Sequence, residues 1–472
     1  MKKDKVDCLL VAYSGFKFDK INEFIEKHYP GVDKIERQFN AAIGILGTSL
    51  NKNGFSFDYI NSFEDDRDAL EEKLSSLDIM SVGISTTFCN NIDQVSGMVE
   101  YVRMLKPDMK IILGGPFIVE YARIFFEDNK SAFDKSLKRV KADFIIDSFN
   151  SVQPLSDILS ALKSNLAFDS IANIFYKKAN EFIYTFKSDD NVDLSVDTID
   201  WSLFESKIGK IVPLRTSLSC PFACTFCNFP VYAGKYKFLD VDAIEKDLNE
   251  IRKLNKVEYI HFIDDTFNFP KDRFKKILKR MIKNKYDYKW FSQLRCQFLD
   301  PETIILMKES GCQGVYLGIE SGNNDVLKIM NKCSNTDDYK KGISLLNRYG
   351  IPSIASFILG FPGETLESVK DTKIFIEEAK PTFYCINPWS YIQQTPINKE
   401  KFKYQIIGNT KDWSHKTMDY FTSERLCREV EISVKESIPI MNTDINEPNS
   451  LFQMHNEGIN IHLLKQYLNG NN

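Results

Sequence analysis

Short continuous apolar runs alternate with amphipathic stretches along most of this chain, and they do so in two series. The first series holds VDCLLVAY, FSFDYIN, DIMSVGIST, KIILGGP and ADFIID within residues 1–150, while NIDQVSGMVEYVRMLKP and PLSDILSALK carry helical spacing. Strands that are apolar on both faces and separated by helices form a parallel sheet covered on both sides. A doubly wound, Rossmann-like α/β domain is therefore expected over 1–150, with ligands at the carboxyl ends of its strands. From 151 to 209 the pattern weakens to a small hairpin in NIFYKKANEFIYTFKSDDN and a polar linker. From Ile211 the second series runs IVPLRTSLS, EYIHFIDDT, YKWFSQLRCQF, GVYLGIES, PSIASFILGF and TFYCINPW. Six such units predict a partial (β/α)6 TIM barrel over 210–390, with its chemistry at the strand C-terminal ends. Residues 391–472 form a mixed C-terminal extension.

The bulk properties narrow the setting. A formal net charge of −4 over 472 residues gives no general pull toward nucleic acid or an anionic membrane. No apolar stretch reaches the length of a membrane span. The N-terminal apolar run is too short for a signal peptide and no small-residue cleavage site follows it. Ten cysteines are too sparse for a disulfide scaffold. The expectation is a cytoplasmic protein with reduced thiols and neither a nucleic-acid nor a membrane partner.

SLSCPFACTFCNFP, Ser217–Pro230, spaces Cys220, Cys224 and Cys227 as C-x3-C-x2-C. A closed zinc site takes four ligands. The fourth would have to be His261 or a distant cysteine, because no second C-x2-C or H-x3-H follows. Three buried thiols without a metal are the plain alternative. An iron–sulfur cluster on three thiolates instead leaves one iron open for a substrate or cofactor. The cysteines directly follow the first barrel strand, at the face where catalytic residues collect.

C-x3-C-x2-C with Phe226 before the last cysteine resembles the signature of radical S-adenosylmethionine (SAM) enzymes. The resemblance implies a [4Fe-4S] cluster on Cys220, Cys224 and Cys227 whose open iron chelates SAM, giving a 5′-deoxyadenosyl radical on reduction. Further motifs follow in order at strand ends. HFIDDTF places Asp264 and Asp265 where the family's SAM-amino contact lies. QLRCQF offers Gln293 and Arg295. GIESG places Glu320 and Ser321 toward the SAM ribose or carboxylate. FILGFPGET resembles the segment lining the adenine, with Phe226 as a shelf. Taken singly, such residues at a strand end are turn or cap residues.

A parallel α/β domain ahead of such a barrel resembles cobalamin-binding domains. GISTTF (with Ser85, Thr86 and Thr87) and LGGPF (with Gly114, Gly115 and Pro116) match that family's two cofactor-facing loops. The histidine motif D-x-H-x-x-G is missing, and His28 in IEKHYPG lacks it. The resemblance then implies cobalt without a histidine below it, packed on side chains from Tyr13 to Phe18 or from Thr86 to Asn90. Where relatives carry a Gly-Glu-Gly-Glu-like turn, this chain reads DSFNSVQP.

Together IDWSLF, the cysteine loop, FIDDTFNFP, RCQF, MKESGCQGVYLGIESGN, FILGFPGET and WSHKTM resemble the class B radical SAM methyltransferases, in particular the phosphinothricin-type P-methyltransferase group. The implied activity is methylation of an unactivated carbon or a phosphinate phosphorus of a natural product or peptide. The implied course is hydrogen abstraction, methyl transfer from methylcobalamin and remethylation by a second SAM. A flavodoxin or ferredoxin is the implied reductant. A phosphinate would want a cationic anchor, and Arg295 and Lys235 are the candidates. Trp389, Tyr391, Trp413 and His415 are candidate substrate-side residues, against a plain packing role. Cys296 and Cys385, near strand ends, stand out among the other cysteines. Two other readings remain: cyclisation, rearrangement or oxidation without methyl transfer, and a cluster-binding sensor without turnover.

Overall fold

The computed structural model describes residues 3–14, 18–128, 140–179, 181–189, 192–206, 208–440 and 448–468. The chain divides into two compact units. One comprises Met1–Gly15 with Phe39–Ile208, the other Phe16–Gln38 with Gly209–Asn472.

In the first unit β1 (Lys5–Ala12), β2 (Phe57–Ile60), β3 (Asp78–Ser85), β4 (Lys110–Gly114) and β5 (Phe144–Ile146) pair in the order β2-β1-β3-β4-β5. All four pairings are parallel. Seven of the eight residues of β1 are buried, as a strand covered on both faces requires. Leu9, Val11, Val82, Ile84, Ile111 and Leu113 share one core with Val95, Met98, Val99 and Val102 of the helix Ile92–Leu105. That helix begins at a capping box, in which Asn91 and Gln94 satisfy each other's backbone. The strand order reverses at β1, so the crevice beside the ends of β1 and β3 is the topological switch point.

The hairpin expected in a linker instead extends this sheet. β6 (Ile174–Lys178) pairs antiparallel with β5, and β7 (Glu181–Tyr184) with β6. The first unit thus reaches residue 208 rather than 150.

In the second unit β8 (Ile211–Leu214), β11 (Tyr259–Phe262), β12 (Lys289–Leu294), β13 (Cys312–Glu320), β14 (Ser353–Leu359) and β15 (Phe383–Pro388) form six consecutive parallel pairings with a seventh short strand, β18 (Ile438–Pro439). β9 (Ser217–Leu218) pairs with β10 (Lys237–Phe238), and β16 (Ser414–His415) with β17 (Met418–Asp419). β8 and β18 are the sheet's two ends, so the barrel is partial. Its helices bury one stripe each. Val241–Lys253 buries Ile244, Leu248 and Ile251, and Asp240 caps its first turn.

The lumen floor is closed by pieces from both chain ends. Phe18, Ile21, Phe24 and Ile25 of the helix Phe18–His28 cluster with Leu451 and Phe452 of Pro448–Asn456, Leu464 of Ile461–Leu468, and Phe291, Ile354 and Phe383 of the barrel strands. The extension beyond residue 391 is therefore part of this unit's core, not a separate tail. His28 belongs here too, with its ring 4.8 Å from Phe24 and 6.2 Å from Tyr467. The stretches 1–15 and 39–208 contain no histidine at all.

Gly314 on β13 admits Phe452. A Cβ there would sit 2.3 Å from the ring's Cγ and Cδ1. Gly314→Ala is expected to destabilise the protein by about 1–3 kcal/mol through overpacking. Denaturant unfolding should show that loss largely recovered in Gly314→Ala combined with Phe452→Leu.

Candidate functional site

The mouth of the barrel is organised by a buried carboxylate. Asp264 follows β11 and is 1 % exposed. It accepts the backbone N–H groups of Thr216 at 2.7 Å and Ser217 at 2.9 Å, and the Thr216 hydroxyl. Arg273, itself buried, donates to the carbonyls of Thr216 at 2.8 Å and Leu239 at 2.9 Å. Burial pushes the Asp264 carboxyl up against these hydrogen bonds and the Arg273 charge. The Asp264 oxygens accept from Thr216 and Ser217, which lead into the cysteine loop. The neighbouring Asp265 keeps exposed surface although protein crowds its carboxyl; that crowding and the adjacent Asp264 push the carboxyl up to about 7 against the Arg215 charge.

From Ser217 the chain turns sharply through Ser219, at φ 65, whose hydroxyl donates to Gly234 O at 2.7 Å. Thr225 then ties the loop to the segment after helix Asn324–Ile329, through its N–H to Met330 O and its hydroxyl to Ile329 O, both at 2.9 Å. Asn331 donates to Ala223 O at 2.8 Å. Cys220, Cys224 and Cys227 are thereby held within electrostatic reach of one another. Burial pushes the Cys227 thiol up to about 11. Burial also raises Cys224, while the Lys332 and Arg295 charges oppose the rise.

These thiols fit a cluster. Among the described residues no three His, Cys, Asp or Glu side chains converge on one ion position. A polynuclear cluster asks for something else, namely one sulfur per iron on three different irons. Three cysteines on one short loop, with cations beside one of them, meet that demand.

Arg295, after β12, is 5 % exposed. Its guanidinium lies 3.6 Å from the centroid of Phe222, and Nη2 donates to Cys224 Sγ at 3.6 Å and Lys332 O at 2.6 Å. Glu320 pairs with Lys332 at 2.8 Å, both nearly buried. Lys332 Nζ also lies 5.7 Å from the Phe226 ring. Phe226 is half-buried and meets Phe361 of the FPGET loop edge-on at 6.3 Å. Ser321 is fully buried and closes its own turn. Its hydroxyl accepts from Asn323 N at 3.2 Å and lies 3.4 Å from Thr372 Oγ1. That hydroxyl is engaged within its own turn and with Thr372.

Below the mouth the lumen is lined by neutral polar groups. Tyr316 Oη lies 3.3 Å from Cys385 Sγ, spanning β14 from β13 to β15. Ser356 lies on β14 between them, in register with Cys385. Gln293 and Asn387 add amides with open surface. Burial raises both Tyr316 and Cys385, so both stay neutral at pH 7. Cys296 faces away, against Tyr339 O.

Trp389, directly after β15, packs with Tyr391, Trp413 and His415 of the extension. Trp389, Tyr391, Trp413 and His415 are 2, 1, 1 and 9 % exposed. Trp413 stacks on His415 at 5.1 Å and donates to Trp389 O at 2.6 Å. His415 Nε2 is 2.9 Å from Gly360 O. They form the packed backing of the FPGET loop, through Phe361 and Gly360.

In the first unit the two loops at the strand ends interlock. Thr86 is fully buried; its N–H and hydroxyl donate to Gly114 O at 2.8 and 2.9 Å, and its Oγ1 accepts from Ile118 N at 3.2 Å. Gly115 sits at φ 106, where a Cβ would come within 3.1 Å of Thr86 N. Thr86, Gly114 and Gly115 therefore build the rim rather than present hydroxyls to a ligand. Ser85 and Thr87, hydrogen-bonded at 2.9 Å, and the exposed Phe88 and Pro116 form its open surface. Gln94 ties this rim to Tyr13 Oη at 2.9 Å. Such a rim of hydroxyl and apolar groups, in a unit without histidine, fits a cobalamin held without a histidine ligand. Gly15, Phe16 and Lys17, expected beneath the cobalt, lie outside the described residues.

Lys332, Arg273, Asn268 and Glu364 were not singled out from the sequence. None carries a spacing signature, since each acts through a contact distant in sequence. Asn268, for instance, brackets Arg295 by accepting its N–H at 2.9 Å and donating to its carbonyl at 2.8 Å.

Residues 214–376 match the radical SAM superfamily. This segment is a radical SAM domain. The uncharacterised methyltransferase PH0819 of Pyrococcus horikoshii is 29% identical over 231 residues, which are 46% of this chain and 48% of that protein. The bacteriochlorophyllide d C-12(1)-methyltransferase of Chlorobaculum tepidum is 30% identical over 191 residues, 39% and 41% of the two chains. The chain thus spans about half the length of the curated relatives it matches. In fold it is similar to the radical SAM methyltransferase TsrM of Kitasatospora setae, solved with cobalamin and a [4Fe-4S] cluster, at TM-score 0.62 and 15% identity over 84% and 77% of the chains. It is similar also to the cobalamin-dependent radical SAM enzyme OxsB with aqua-cobalamin, at TM-score 0.59 and 18% identity over 96% and 62%. These matches establish the pairing of a Rossmann-like unit with a radical SAM barrel. Among the described residues no helix is long and apolar enough to cross a membrane.

Glu364 ends the FPGET loop fully buried. It accepts from Gly360 N at 2.5 Å, and its Oε1 has no hydrogen-bond partner. Burial pushes its carboxyl up to about 8. An acid with a raised folded value contributes stability below its unfolded value and loses it as pH rises through the folded one. Wild type should therefore lose stability relative to Glu364→Gln between about pH 4.5 and 8, by a few kcal/mol. Paired denaturant titrations across that range test this. A wild-type–variant difference independent of pH would contradict it.

Proposed function

We propose that this chain is a cobalamin-dependent radical SAM methyltransferase whose substrate is methylated at carbon. One observation carries the reading: three cysteines on one loop at the C-terminal mouth of a parallel barrel, with cations and an acidic side chain around them. When bound, a [4Fe-4S] cluster supplies the electron that cleaves SAM, and methylcobalamin supplies the methyl group.

The chain's own residues divide the remaining work. Cys220, Cys224 and Cys227 would hold the cluster and leave one iron for the amino and carboxylate groups of SAM. Asp265, at the mouth with open surface, is the acceptor for the SAM amino group. Phe226, braced by Phe361, is the shelf for the adenine. Gln293 reaches the same mouth from β12. Buried Trp389 and Trp413 keep the FPGET loop rigid and water out. In the first unit Ser85, Thr87 and Phe88 would meet the corrin, and that unit's own residues include no histidine to offer the cobalt. A one-electron donor such as a flavodoxin or ferredoxin is the partner this chemistry needs.

The choice of carbon over phosphorus rests on charge. An oxyanion substrate calls for a cation in the pocket. Arg295 is committed to Cys224 and the Lys332 carbonyl, Lys235 is exposed, and Arg215, after β8, acts on Asp265. Tyr316, Ser356, Cys385, Gln293 and Asn387 are neutral hydrogen-bonding groups, which suit a neutral polar substrate.

Anaerobic turnover with trideuteriomethyl-SAM tests the reading. Expected are 5′-deoxyadenosine and a labelled product. Cys220→Ala, Cys224→Ala and Cys227→Ala should each lower deoxyadenosine formation by at least about a hundredfold while cobalamin stays bound. Deoxyadenosine without label in the product would favour a cyclisation, rearrangement or oxidation instead. Cluster binding without SAM cleavage would favour a sensor.

A further inference from the structure

Arg295 is a buried cation without an acid. Among the described residues no carboxylate lies within ion-pair distance of it, although it is 5 % exposed. Its neighbours are a ring, a carbonyl and a sulfur: Phe222 at 3.6 Å, Lys332 O at 2.6 Å and Cys224 Sγ at 3.6 Å. Nη1 has no hydrogen-bond partner. Leaving a guanidinium out of water without a counter-charge costs several kcal/mol. The nearby Lys332 does not share the role, because Glu320 neutralises it at 2.8 Å.

The surrounding structure holds this arrangement on purpose-built supports. Asn268 grips both backbone groups of Arg295. Phe222 is locked in turn between Phe269 at 5.4 Å and Phe298 at 6.0 Å. The guanidinium plane is thus fixed against the cysteine loop before any cofactor arrives, and its unmet charge faces a group that becomes anionic on binding iron.

We propose that Arg295 is a positioning residue that sets the reduction potential of the cluster through Cys224, and that it is not an anchor for substrate or for the SAM carboxylate. This rests on the cluster reading above. The sign follows from electrostatics. Adding an electron makes the cluster more negative, and a fixed positive charge with a hydrogen bond to a ligand sulfur favours that state. Arg295 therefore raises the potential and eases reduction by the external one-electron donor. Removing its charge lowers the potential.

The test uses the full chain, reconstituted anaerobically, with the cluster followed by electron paramagnetic resonance during a reductive titration. In Arg295→Gln the reduced-to-oxidised ratio at fixed potential should fall about tenfold, about 59 mV for a one-electron couple. Arg295→Lys keeps the charge and should fall by much less. The change in the spectrum on adding SAM should survive in both variants. Wild-type protein that assembles no cluster would refute the cluster reading itself. A normal wild-type cluster with an unshifted potential in Arg295→Gln, and SAM binding lost, would overturn the inference and return Arg295 to SAM. If the glutamine variant holds no iron, the lysine variant decides. A tenfold fall there, with charge retained, would also overturn it.

Discussion

The barrel mouth depends on the carboxylate of Asp264. Its partners are two consecutive backbone N–H groups and a hydroxyl at the start of the cysteine loop, with Arg273 behind them. A loop that must present three sulfurs in fixed positions cannot rely on its own short length for rigidity. β9 contributes only two residues, and the turn at Ser219 runs through left-handed space. The carboxylate supplies what the loop lacks, a charged acceptor that the buried N–H groups cannot replace with water. Arg273 then holds the same backbone from the carbonyl side and links it to Leu239, so β9 and β10 are fixed together.

From that anchor the electrostatics of the site follow. Burial disfavours thiolates, and the Cys227 thiol rises to about 11 accordingly. Lys332 and Arg295 oppose that rise at Cys224, while Glu320 acts on Cys224 and Asp265 on Cys227 in the opposite sense. Asp265 faces the mouth, and Glu320 is turned aside by its pairing with Lys332. The deeper lumen, with Tyr316, Ser356 and Cys385, carries no charge of either sign in that set.

Much of this was legible in the sequence, and the gaps have physical reasons. The strands were readable because parallel strands are apolar on both faces, and the cysteine loop because its spacing is short and local. Which of two adjacent strand-end residues faces the lumen was not. Asp264 and Asp265 are indistinguishable in sequence, yet one turns into the protein and the other into the mouth. Thr86 and Ser321 looked like ligand contacts for the same reason, and their hydroxyls turned out to close loops. The excursion of residues 16–38 into the second unit was equally hidden. Its helix Phe18–His28 is amphipathic in either unit, and only packing against Phe452 and Leu464 decides where it goes. The hairpin β6–β7 is readable as a hairpin, but its pairing to the edge of β5 is not.

Glu320 shows how the local and global demands meet. It sits at φ 70, a conformation costing a non-glycine residue of order 1–2 kcal/mol. The pairing of β13 with β14 slips by one residue between Gly318 and Glu320, and such bulges re-aim side chains near active sites. The slip directs the carboxylate onto Lys332, and a Cβ on Gly318 would lie 2.6 Å from Glu320 Oε1 and 3.0 Å from Lys332 Nζ, so a side chain there would shift the pair. The ion pair in turn fixes Lys332, whose carbonyl receives Arg295. A strained residue, a bulge and a glycine thus serve one end, which is to hold the backbone that orients the guanidinium toward Cys224. Strain at this position is the cost of a charge arrangement that a regular strand end could not produce.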